Sequence, residues 1–91
     1  MKQIKEIYLK LDETSIQTVY IPADSEIIGA KTISEYPSTV ILLVLTSSLD
    51  SSMTLKKFKI CDTNETVYNC NLSYIDSCIV DSKLKHVLEI L

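Results

Sequence analysis

Hydrophobic and polar positions alternate along most of this chain in short runs separated by polar breaks, the period-two pattern of half-buried strands. In residues 4–11, Ile7, Leu9 and Leu11 fall in phase, with Glu6, Tyr8 and Lys10 between them, so one face looks inward. Asp12-Glu13-Thr14-Ser15 turns the chain into a second run, residues 16–21. Pro22 closes that run because it has no N–H to give a central ladder. Residues 26–34 form a third run around the only glycine, Gly29. A lone glycine inside a strand pattern marks a bulge or a close backbone approach, and here that reading outweighs a ligand site.

The segment after Tyr36-Pro37-Ser38 departs from alternation. Val40-Ile41-Leu42-Leu43-Val44-Leu45 is apolar throughout and leaves no polar face. Such a strand has to be covered on both sides. A short buried helix is the alternative, but length and β-branched content favour a strand. Alternation resumes in residues 53–60, where Phe58 and Ile60 interleave with Lys57 and Lys59 on a wet face. Asp62-Thr63-Asn64-Glu65 is a turn, since Asp and Asn side chains bond their own backbone. Residues 66–71 and 72–80 read as one or two strands, with a break at 69–71. Residues 82–91 fit two patterns. Asp81-Ser82 can cap a helix carrying Leu84, Val87, Leu88 and Leu91, or Leu84, His86, Leu88 and Ile90 can share one strand face. The expected fold is a mainly β antiparallel sandwich, or a strongly curved sheet, of six to eight strands. It ends in a strand or a short helix and forms a single domain over residues 1–91.

With 91 residues and 46% apolar content the chain supports one core. No apolar run reaches the length of a membrane span. The N-terminal Met1-Lys2-Gln3-Ile4-Lys5-Glu6 lacks the apolar stretch of a signal peptide, so a cytoplasmic location is expected, without membrane partners. Three cysteines, Cys61, Cys70 and Cys78, argue against a disulfide framework. Their spacing matches no zinc pattern, so no metal or other cofactor is expected. The net charge is −3 and every cation is a lysine. Lacking arginine, the chain is a poor candidate for sequence-specific nucleic-acid binding. The sequons at Asn64 and Asn71 read as chance matches.

Candidate chemistry is sparse. One glycine excludes a Gly-rich phosphate loop. His86 is the only imidazole, and a structural role outweighs a general base; Cys61 or Cys78 paired with it would be the only thiol nucleophile on offer. Lys56, Lys57 and Lys59 form the one basic cluster. On an edge strand such lysines block unwanted pairing, which outweighs the alternative of a small anion or phosphate site. Of the tyrosines, Tyr8 and Tyr20 stand opposite the apolar faces of their strands and are candidate contact residues, with a core role equally open.

Several short stretches together resemble a family of small, functionally uncharacterised phage and prophage proteins of similar length. They are Lys5-Glu6-Ile7-Tyr8, Ile21-Pro22-Ala23-Asp24-Ser25-Glu26-Ile27-Ile28, Tyr36-Pro37-Ser38, Phe58-Lys59-Ile60-Cys61-Asp62-Thr63, Tyr74-Ile75-Asp76 and Lys85-His86-Val87-Leu88-Glu89. The resemblance implies a β-rich fold with a closing strand and a viral origin; it implies no activity and no site residues. The first functional expectation is a non-enzymatic binding protein of phage type. It would block a host protein or complex through a sheet face or edge, with an anti-CRISPR-like defence inhibitor as one form. The second is a binder that sequesters a small anionic nucleotide-like ligand at Lys56, Lys57 and Lys59. The third, least favoured, is an enzyme using Cys78 or His86. A homodimer is also expected, because so short a chain with a doubly apolar strand is hard pressed to cover both its faces.

Overall fold

A computed structural model describes residues 2–11, 16–33, 38–47, 52–67, 71–80 and 82–91. The alternating runs become strands β1 (Gln3–Lys10), β2 (Gln17–Pro22), β3 (Ser25–Lys31), β4 (Thr39–Thr46), β5 (Met53–Asp62), β6 (Leu72–Val80) and β7 (Lys83–Ile90). They form two antiparallel sheets, one in the order β1-β4-β3 and the other β2-β5-β7-β6. The expected antiparallel β sandwich is the fold.

Two of the ambiguous segments are settled by pairing. Residues 82–91 form a strand because β7 lies between β5 and β6 and is hydrogen-bonded on both sides. The apolar run around residues 40–45 is the central strand of its sheet, with Val40, Leu42 and Val44 buried on the inner face. Its outward-facing Ile41 is also buried, beside its cross-strand neighbour Tyr8, while Leu43 and Leu45 are half-buried. Within one chain the outward side of β4 is thus partly covered as well as the inner side. The turns at residues 12–15 and 36–37, and residues 68–70 with Cys70, lie outside the described residues, while Thr66, Val67 and Asn71 are not strand.

The core is the seam between the sheets. Leu9, Ala30, Val40 and Leu42 from one sheet pack on Phe58, Ile60, Cys78 and Val87 from the other. The turns carry the residue types their geometry requires. Asn64 takes a left-handed φ of 72°, a conformation Asn tolerates better than most residues. Pro22 ends β2, an edge strand where its missing N–H costs no ladder bond. At the corner that follows, Asp24 accepts hydrogen bonds from the Thr46 and Ser47 hydroxyls, both at 3.0 Å. These bonds satisfy Thr46, which is buried.

The register slips between Ile27 and Gly29 in β3 and between Tyr74 and Asp76 in β6. Both readings of Gly29 therefore hold, because the bulge also brings its backbone close to Asp76. The slip in β6 places Asp76 opposite Val87, on the inward face, where it reaches the edge of β3. At the other edge of the sandwich, Gln17 of β2 uses its amide on Lys10 of β1. It accepts from the Lys10 N–H at 2.8 Å and donates to the Lys10 carbonyl at 2.7 Å. Polar side chains thus tie the two sheets at both edges, Gln17 at one and, at the other, Asp76 with Thr32, whose hydroxyl donates to the Ile79 carbonyl at 3.3 Å.

Candidate functional site

Strand register decides which side chains share a surface, because alternate residues point to opposite faces. Phe58, Ile60 and Val87 point into the core, so their neighbours on β5 and β7 point out. The outer face of the four-stranded sheet then carries Thr18 and Tyr20 from β2, and Met53, Leu55, Lys57, Lys59 and Cys61 from β5. Leu84, His86, Leu88 and Ile90 come from β7, and Leu72, Tyr74, Ser77 and Ile79 from β6. Tyr20, Met53, Leu55, Tyr74, Ile79 and Leu84 are all exposed there, Ile79 at 67% and Tyr20 at 62%. Leu88 lies buried among them, between Lys59 and Tyr74 in register.

The charged residues that the strands themselves place on this face are of one sign. Its strands contribute Lys57 and Lys59 and no carboxylate, although the chain as a whole carries −3. Lys59 pairs with Glu65, which reaches over from the β5 turn at 3.2 Å. Lys57 is exposed and makes no ion pair with any described residue. The outer face of the three-stranded sheet differs in its charge. It also carries Ile4, Tyr8, Ile41, Leu43 and Leu45, but interleaves them with Glu6, Glu26, Lys10 and Lys31, charges of both signs.

This geometry separates residues that looked contiguous in sequence. Lys56 faces the opposite way from Lys57 and Lys59 and pairs with Glu89 at 3.3 Å. The three lysines therefore do not converge on one anion. They also do not guard an edge, since β5 is an interior strand between β2 and β7. Tyr8 and Tyr20 lie on opposite outer faces of the sandwich, and the Tyr8 hydroxyl donates to Glu6 at 3.1 Å. An open groove of about 380 Å³ lies where β3 meets β6, lined by Lys31, Thr32, Ile79 and Leu84 among others. None of the clustered lysines lines it.

The structure also brings together Cys61 and His86, which are directly opposed in the β5–β7 ladder. Both ring nitrogens of His86 are already engaged, Nε2 with the Thr63 hydroxyl at 2.7 Å and Nδ1 with the Tyr74 hydroxyl at 2.8 Å. Burial pushes the Cys61 thiol up, and Glu65 adds to the rise. Burial likewise raises Cys78, which faces the core. A thiolate is favoured by the opposite environment. Among the described residues, no three His, Cys, Asp or Glu side chains gather as metal ligands would.

The exposed hydrophobes Met53 and Leu55 were a missed signal. They are in phase with Lys57 and Lys59, and a wet face that keeps large apolar residues is unusual. Tyr74, Ile79 and Leu84 had no such cue, because their place beside β5 depends on β7 entering between β5 and β6.

The fold and this face define a two-sheet antiparallel sandwich with one apolar, lysine-bearing outer surface. No family model matches the sequence, and no curated protein or solved structure is significantly similar to it. No helix among the described residues is long and apolar enough to cross a membrane.

Proposed function

We propose that this protein is a small binding protein of phage type that blocks a host macromolecule, with a defence complex as the target class. It acts without turnover, by laying the outer face of its four-stranded sheet on the target. The observation that carries this reading is the set of large apolar side chains, Tyr20, Met53, Leu55, Tyr74, Ile79 and Leu84, exposed on that face. Large apolar side chains left exposed on one sheet face mark an interaction site, and rigid aromatic anchors such as Tyr20 and Tyr74 are the side chains that dominate such contacts.

The test compares the two faces of the sandwich. Leu55→Asp with Ile79→Asp should abolish inhibition of the target and complex formation in size-exclusion chromatography, with an unchanged circular dichroism spectrum. Tyr8→Asp, on the other face, should leave both intact. Full activity of the double variant would refute the reading.

A further inference from the structure

The charge segregation on the same face specifies what it binds. Resting on the proposal above, we infer that the partner is a protein surface whose apolar patch is bordered by carboxylates, one of them meeting Lys57.

Lys57 is the charged group at the middle of the face. Its register neighbours are Thr18 on β2 and Ile90 on β7, and Leu55 and Lys59 flank it along β5. Lys59 is tied to Glu65 and Lys56 to Glu89, so those cations have their counter-charges within the chain. Lys57 has no ion pair among the described residues. A cation set among apolar side chains loses hydration when they are covered, and that loss is recovered only by an opposite charge on the covering surface. A partner presenting lysines or arginines here would be repelled.

A second copy of this chain is a poor fit for the same reason. Two such faces packed about a two-fold axis would bring lysine-bearing surfaces together with no strand carboxylate on either side. The area is adequate for one protein partner. Four strands about 4.8 Å apart, running for about 30 Å, present on the order of 500 Å² of flat surface. With side-chain relief this approaches the roughly 800 Å² per partner of a standard interface.

The experiment uses the full chain with Tyr20→p-benzoyl-Phe, photo-crosslinked in lysate of the host cell. The crosslinked peptide is identified by mass spectrometry, and the complex is then titrated with the purified partner. The adduct should map to an apolar segment bordered by Asp or Glu. Lys57→Glu should weaken the complex about ten-fold or more, while Lys57→Arg and the opposite-face Lys31→Glu stay within about three-fold. Raising NaCl from about 0.05 M to about 0.5 M should weaken the parent complex and leave Lys57→Glu nearly unaffected.

If Lys57→Glu binds as well as the parent while Leu55→Asp does not, the face stands and the acidic partner is wrong. An adduct with a second copy of this chain, or with nucleic acid, overturns the partner class. No adduct from Tyr20, with one from Tyr8→p-benzoyl-Phe, overturns the choice of face. No complex from either face removes the binding proposal itself.

Discussion

Asp76 on β6 accepts the backbone N–H of Ala30 on β3 at 2.9 Å, so a carboxylate stands where a neighbouring strand would otherwise sit. Gly29 makes room for it. A Cβ at Gly29 would lie 3.2 Å from the same carboxylate oxygen, and Gly29 has no positive φ, so the glycine is there for space and not for conformation.

The pair should therefore be coupled. Asp76→Ala leaves the buried Ala30 N–H unpaired and should cost about 1–3 kcal/mol in urea unfolding. Gly29→Ala crowds a carboxylate that cannot retreat without losing its bond, and should cost about 1 kcal/mol. In the Asp76→Ala background the added methyl meets no oxygen, so Gly29→Ala should become nearly neutral. Additive losses in that double-mutant cycle would show that the close approach is not what selects glycine.

Gln17 plays the matching part at the β1/β2 edge. Gln17→Ala removes both bonds to Lys10 from an exposed site where water replaces them, so the stability loss should stay near 1 kcal/mol. The sharper readout is local. Hydrogen exchange at the Lys10 amide should accelerate about ten-fold or more, while the amides of β4 keep their protection.

Acid should loosen the β5 turn. Lys85 holds the Asp62 carboxyl below its usual range, and the Asp62 N–H together with Lys59 does the same for Glu65. A carboxyl whose folded pKa is depressed contributes stability that is complete above the unfolded value, about 4, and fades as pH falls through the lower folded value. Stability should therefore decline below about pH 4. The decline should be shallower in Glu65→Gln, measured by thermal melts across the acid range. Both groups are exposed, so the effect is small and diminishes with added salt.

The raised thiols give a chemical test. In a Cys70→Ser background, Cys61 and Cys78 should react with iodoacetamide near neutral pH about ten-fold or more slowly in the folded protein than in guanidinium. Rapid alkylation of Cys61 in the folded state would contradict its burial and would revive a nucleophilic role opposite His86.

Local patterns carried most of the strand assignments. The alternation of Ile7, Leu9 and Leu11, and Lys57 and Lys59 against Phe58 and Ile60, each name a strand and its buried side without reference to any other segment, and the unbroken run around β4 names a strand with no wet side. Turn chemistry is equally local, as the left-handed Asn64 shows. The closing strand was not legible, because Leu84, Val87, Leu88 and Leu91 give an apolar face at helical spacing while Leu84, His86, Leu88 and Ile90 give one in a strand. Only β5 and β6, hydrogen-bonding to it on both sides, exclude the helix.

By itself the sequence determined most of the strands, the turn at Asn64 and, where alternation is unbroken, which positions turn to water, because side-chain alternation and turn geometry act within a few residues. Tertiary structure alone decided that β7 enters between β5 and β6, putting the lysines on an interior strand and placing Tyr74, Ile79 and Leu84 on the same face. It also decided that the slip before Asp76 turns that carboxylate inward to Ala30. Strand order and register depend on pairing between segments far apart in the chain, and nothing in a local period records which strand will lie beside which.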